Sequence, residues 1–380
     1  FSQNSDLLAV GDVGGRIIIF KRKGDQIMYE PSNEVHAFQR DFDILRSQEV
    51  SSEVLGIKFL PSCLHQQSFL AASERDVRLF SLGKSTHFEP QGGSNFPLAK
   101  GQSSKVVPRR LFAASQYHLN SLSLSPAGDT FLVSDDFTLS QFWVEDHTCG
   151  QLLVSQPISL DSKLNLITTS AYHPQDQNLV FVGYSTGTVK LFDLRQNLKQ
   201  TSITGSGFAN PIHDVQVMAP NLVYVRTQQD LFIQDIRNLN KPLFQMNMNP
   251  RLKIQQQQHQ QQSFNQLECV KPNLQCAEHE MKFDLALSKN KQYWASGYFG
   301  TQVLVGNLEN EVLGFKATRI LKKAKSQIPA AQVGAKLLVN KGQVDVSQFG
   351  DSDVGRVEKL QFGDGVLAVA GAGNLFLYGW

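Results

Sequence analysis

Apolar and polar positions repeat along this chain in one unit. Leu7–Val10 is an apolar run, Gly11-Asp12-Val13-Gly14-Gly15 is a glycine-rich turn, and Ile17–Phe20 is a second apolar run ending on an aromatic. That pattern predicts a β-hairpin. A lone hairpin has an apolar face and nothing to bury it against. Six further copies follow, at Phe69–Leu82, Thr130–Glu145, Asn178–Arg195, Asn221–Asn238, Tyr293–Glu309 and Val366–Trp380. Short alternating strands precede all but the first: Val54–Leu60, Leu119–Leu124, Ile167–Tyr172, Ile212–Met218, Met281–Leu287 and Val357–Phe362. Strand, turn, strand, turn, strand is the order that a four-stranded propeller blade requires.

The copies recur roughly every 40 to 70 residues, against about 40–45 for a WD repeat without insertions. The expected fold is therefore all-β: a seven-bladed WD-repeat β-propeller with long inter-strand insertions, one domain over residues 1–380. The expected insertions are a charged loop at Lys21–Pro31, a docking segment across the rim at Phe38–Glu49, and a polar loop at Gly83–Val107. Residues 251–264 hold QQQQHQQQ, low-complexity sequence that cannot bury a core. Residues 315–336 form a basic loop with Lys316, Arg319, Lys322, Lys323, Lys325 and Lys336. Phe1 begins too late to supply a whole additional strand, so upstream residues are expected to complete the ring.

A hydrophobic content of 41% is enough to fill the spaces between blades. A formal net charge of +2 gives no bulk field toward nucleic acid or membrane. No apolar run approaches the ~18 residues of a membrane-spanning helix. Four cysteines without a C-x-x-C favour reduced thiols, and Cys269, Cys276 and His279 match no common zinc spacing.

Catalytic signatures do not appear. There is no G-x-x-x-x-G-K-[ST], no G-x-S-x-G and no H-E-x-x-H. His118 and His173 lie beside inner strands, where a histidine anchors a turn. Asp135-Asp136 is the tightest carboxylate pair, placed where Asx turns cap backbone amides. Turns between second and third strands share one rim, so Asp12, Asp135, Asp136, Ser185 and Tyr298 should ring a binding face. Neither a metal nor a cofactor is expected.

Several stretches resemble the WD-repeat regulatory B subunits of protein phosphatase 2A. They are FSQNSDLLAVGDVGGRIIIFKR, FQRDFDILRSQEVSSEVLGIKFLP, PRRLFAASQYHLNSLSLSPAGDTFLVSDD, AYHPQDQNLVFVGYSTGTVKLFDLR and GVLAVAGAGNLFLYGW. The resemblance implies a propeller that is not itself an enzyme. It also implies phosphatase scaffold and catalytic subunits as partners, and phosphoprotein substrates recruited through the turn face. Asp135, Asp136 and Arg226 match substrate-recognition positions. Phe42, Asp43, Leu45, Arg109 and Arg110, in the distinctive runs, are the candidates for partner docking. The Gly83–Val107 loop stands where the family carries a long scaffold-gripping arm, and it is shorter here. Cytoplasmic localisation is expected, with cytoskeletal or ciliary association as its extension. A divergent structural adaptor on cytoskeletal proteins is the alternative reading. A metal-dependent propeller hydrolase would need several acids pointing into the channel, and VLGIKFL and NSLSLS supply few.

Overall fold

The computed structural model describes residues 1–23, 29–38, 41–43, 48–50, 53–61, 67–84, 104–115, 117–146, 150–156, 165–195, 199–202, 210–219, 221–228, 230–237, 242–247, 282–289, 292–297, 302–307, 312–316, 357–371 and 374–379. These fold into antiparallel sheets whose strands follow chain order, without crossovers. The first sheet is β1 (Leu7–Gly11), β2 (Arg16–Arg22) and β3 (Tyr29–His36). A two-stranded ribbon follows, β4 (Asp41–Asp43) with β5 (Gln48–Val50). The second sheet is β6 (Gly56–Phe59), β7 (Ser68–Ala72), β8 (Asp76–Lys84) and β9 (Ser104–Ala113). The third is β10 (Leu119–Leu124), β11 (Thr130–Asp135), β12 (Thr138–Trp143) and β13 (Gln151–Ser155).

The fourth sheet is β14 (Ile167–Tyr172), β15 (Leu179–Tyr184), β16 (Val189–Asp193) and β17 (Lys199–Ser202). The fifth is β18 (Ile212–Ala219), β19 (Leu222–Thr227), β20 (Asp230–Asp235) and β21 (Phe244–Asn247). The sixth is β22 (Leu285–Leu287), β23 (Tyr293–Gly297), β24 (Gln302–Asn307) and β25 (Val312–Lys316). The last is β26 (Val357–Gly363), β27 (Val366–Gly371) and β28 (Asn374–Gly379).

Second strands of the second to sixth sheets are buried along most of their length, and in β11 all six residues of TFLVSD are buried. Burial on both faces is what places a sheet between two neighbours. Each pair of consecutive sheets shares an apolar cluster. Leu70 and Val77 of the second sheet meet Leu122, Phe131 and Phe142 of the third. Tyr224 and Ile233 of the fifth meet Trp294 and Leu304 of the sixth. Trp294 fits because Gly306 is its direct cross-strand partner; a Cβ there would run into the indole. The seventh cluster joins the two ends of the chain, Phe1, Leu8 and Tyr29 against Val366, Ala368 and Leu377. The stack of sheets is thereby closed into a ring, a WD-repeat β-propeller. A channel of about 630 Å³ runs through it, lined by β1, β6, β10, β14, β18, β22 and β26.

Three expectations need correction. Lys21–Pro31 is not wholly a loop, because β2 runs to Arg22 and β3 starts at Tyr29. Pro31 sits at a register shift between β2 and β3, where a strand tolerates a residue without an amide hydrogen. Gly83–Val107 is not all loop either. Gly83 pairs with Lys105 and Lys84 with Ser104, so the hairpin extends at both ends. The inner strand expected at Met281–Leu287 shortens to Leu285–Leu287. The Gln-rich stretch 251–264 and, beyond Lys316, the basic stretch to 336 lie outside the described residues.

Candidate functional site

Inner strands start at the face that carries the turns between second and third strands. The register shows it: Leu119 pairs with Asp135, Ile167 with Tyr184 and Ile212 with Thr227. Side chains early in the inner strands therefore meet side chains of these turns at one mouth of the channel.

The β11–β12 turn divides the labour of its two carboxylates. Asp135 is only 3% exposed. Its Oδ1 accepts the Phe137 and Thr138 amides at 2.9 and 2.5 Å, and its Oδ2 accepts the Thr138 and Ser115 hydroxyls at 2.8 and 3.0 Å. That is an Asx cap with its acceptor sites filled. Asp135 therefore holds the turn and does not offer an open carboxylate to a substrate. Asp136 is half-buried, and its Oδ1 accepts the Asn120 side-chain amide at 2.7 Å. Beside it, the exposed Tyr117 ring meets Phe137 edge to face at 5.0 Å.

Arg226 is also placed inside the fold. It is fully buried, donates to the Ser296 hydroxyl and to the Thr227, Gln228 and Asp230 carbonyls, and stands over the Phe283 ring at 5.1 Å. The reason is that it occupies a second strand, which is enclosed by both neighbouring sheets. Its role is to tie the fifth sheet to the sixth. Asp12 caps the β1–β2 turn, accepting from the Arg16 amide and guanidinium. The Ser185 hydroxyl accepts the Leu166 amide at 2.9 Å. Tyr298 lies outside the described residues.

Of the docking candidates, Phe42 and Asp43 fall in β4, and Leu45 lies outside the described residues. Arg109 is exposed on β9 with its Nε on the Ser81 hydroxyl. Arg110 donates to the Val144 carbonyl at 2.6 Å, stapling the second sheet to the third. His173 is the turn anchor expected of it: buried, with Nδ1 accepting the Gln175 and Asp176 amides.

The channel mouth holds charged groups that sequence patterning missed. Lys282 donates to Asn120 Oδ1 at 2.6 Å. Asp214 accepts the Leu285 and Val215 amides at 3.0 and 2.8 Å. Lys359 pairs with Asp284 at 3.1 Å. Burial, then the charge of Asp284, pushes the Asp214 carboxyl up to about 6. Burial, then the charge of Lys359, brings the Lys282 ammonium down to about 8. The available signal was charge beside or within the start of an otherwise apolar inner strand: Lys282-Phe283-Asp284 just before β22, and His213-Asp214 early in β18. Among the described residues no three His, Cys, Asp or Glu side chains gather as metal ligands.

Comparison with known proteins adds a set of similarities to this geometry. No family model matches the chain. The gamma isoform of the 55 kDa regulatory B subunit of serine/threonine-protein phosphatase 2A from Oryctolagus cuniculus is 27% identical over 224 residues, 51% of this chain and 50% of that protein. The regulatory B subunit of protein phosphatase PP2A from Schizosaccharomyces pombe is 26% identical over 224 residues, 52% of this chain and 48% of that protein. In sequence, the chain is similar to the regulatory B subunits of protein phosphatase 2A. It spans about half the length of the relatives it matches. Among solved structures, Raptor from Chaetomium thermophilum superposes with a TM-score of 0.60 at 12% identity, over all of this chain and 27% of that one. That likeness concerns the WD-repeat propeller fold alone.

Proposed function

We propose that this chain is a non-catalytic regulatory subunit of a protein phosphatase 2A assembly, and that its turn face recruits phosphoprotein substrates. The similarity to phosphatase regulatory B subunits carries the reading. Its relatives are named as regulatory subunits, which is consistent with a chain that is not itself an enzyme. Asp136, half-buried at the channel mouth beside exposed Tyr117, is the recruiting carboxylate in this reading. Asp135 supports it by fixing the turn. The β8–β9 hairpin, the β4–β5 ribbon and exposed Arg109 supply the surface for scaffold and catalytic subunits. On this reading the assembly works in the cytoplasm.

The test is reconstitution with purified phosphatase scaffold and catalytic subunits. A ternary complex that elutes as one species is the expected result, and recovery of neither subunit overturns the reading. Within such a complex, Asp136→Lys should leave assembly intact and slow dephosphorylation of bound phosphoproteins. Unchanged rates would remove Asp136 from the recruiting role.

A further inference from the structure

Lys282 stands three residues before the sixth sheet, yet its ammonium lies against the third and fourth. Nζ is 2.6 Å from Asn120 Oδ1, 3.5 Å from the Asn120 carbonyl and 3.4 Å from the Thr168 carbonyl. The contact spans 162 positions of sequence and crosses the channel mouth. The amide NH2 of Asn120 points the other way, to Asp136 Oδ1 at 2.7 Å and the Ile167 carbonyl at 2.9 Å. An ammonium has no lone pair to offer, so it accepts nothing. With the amide oxygen held by Lys282, only one orientation of Asn120 satisfies all these neighbours, and it aims two donors at the rim.

The geometry points to Lys282 as a positioning residue: acting through Asn120, it fixes the carboxylate of Asp136 on the turn face. The consequence for binding rests on the recruiting role proposed above; the positioning itself does not. Asp136, Asp214, Asp284 and Lys359 are the charged groups around Lys282, with His213 next to Asp214 accepting the Phe283 amide. Burial and Lys359 hold its ammonium near a pKa of about 8, so it gives up its proton within a mildly alkaline range. A neutral amine can accept as well as donate. Above that pH Lys282 no longer enforces the orientation of the Asn120 amide, which then rests on Asp136 and the Ile167 carbonyl alone, and the restraint on Asp136 slackens.

The test reads the side-chain amide of Asn120 by NMR on asparagine-labelled protein, with thermal melts to check folding. In the unaltered protein its two proton signals should shift with a midpoint near pH 8. Lys282→Arg, which stays charged, should keep the neutral-pH positions and lose that midpoint. Lys282→Met should displace both signals at every pH. Asn120 signals that ignore Lys282→Met, or that keep the midpoint in Lys282→Arg, overturn the positioning role. If Lys282→Met does not fold, the titrations of the unaltered protein and of Lys282→Arg decide alone.

Affinity for a hexalysine peptide gives the second readout. Charge alone predicts tighter binding when a cation is removed from the mouth. Positioning predicts the reverse: about tenfold weaker binding for Lys282→Met, the scale of one charge-assisted hydrogen bond, and less than about twofold change for Lys282→Arg. Displaced Asn120 signals with unweakened hexalysine binding would leave the positioning standing and overturn the recruiting role of Asp136.

Discussion

The seams between sheets and the mouth of the channel are built from the same strands and follow opposite rules. In the seams, Leu, Val, Ile, Phe and Trp side chains lose nearly all contact with water, and each contributes to stability. At the mouth, Asp214 and Lys282 are both displaced toward their uncharged forms. Burial there costs free energy, and carboxylates and ammonium groups are held short of full hydration. The difference teaches where to look on this molecule. Among the described residues, stability resides in the seven apolar clusters, whereas the groups set against their own preferences gather at the channel mouth.

The largest effect that would break this contrast is at a seam. Trp294→Ala should cost about 3–5 kcal/mol in urea denaturation, because it empties the cluster between the fifth and sixth sheets. A loss below about 1 kcal/mol would show that the seams do not carry the fold. Next comes the cap of the β11–β12 turn. Asp135→Ala should lower stability by about 1–2 kcal/mol in the same assay, since two amides and two hydroxyls lose their acceptor.

The mouth should show itself through pH. An ordinary aspartate titrates near 3.9 and Asp214 near 6, so the folded state holds a proton that the unfolded state releases. Its contribution therefore improves as pH falls from above 6 toward 4. Lys282 runs the other way: its folded value near 8 lies below the ordinary 10.4, and its contribution improves as pH rises above 8. Both are least favourable between pH 6 and 8. Asp214→Asn should flatten the acid limb, and Lys282→Met the alkaline limb, each by on the order of 1 kcal/mol across its window. Melting curves at stepped pH check this, and identical limbs in variant and parent would sink it. The smallest effect is expected at the exposed Arg195–Asp193 pair, 3.1 Å apart on the rim. Arg195→Ala should leave the urea denaturation midpoint essentially unchanged.

How much of this was legible follows from which signals are local. Hairpins such as β11–β12 and β15–β16 announce themselves, because turn residues and alternation lie within a few positions of each other. Outer strands do not. β17 reads KQTS and β21 FQMN, since a strand with one open edge needs no continuous apolar run. β3 was hidden by Pro31, Glu30 and Asn33. The extension to Lys84 and Ser104 was hidden by its polar composition. At the candidate site, the aspartate pair was visible but its division into an inner cap and an outer carboxylate was not. That depends on Ser115 and on Asn120 meeting the turn from another strand. Arg226 matched a substrate-recognition position by resemblance, yet it lies on a strand closed in by two sheets. Lys282 and Asn120 are 162 positions apart, and only ring closure brings them together.

The cluster that unites Phe1, Leu8 and Tyr29 with Val366, Ala368 and Leu377 differs from its six counterparts in one respect. Every other seam is made by stretches adjacent in the chain; this one joins residues more than three hundred positions apart, with Phe1 also bound to Gln361. During synthesis the hairpin of β1 and β2 must wait, its greasy flank uncovered, until that of β27 and β28 emerges. Large loops close slowly. The vulnerable moment for this protein is thus the interval before the circle shuts, and a chaperone that shelters the first sheet would shorten the risk rather than strengthen the finished ring.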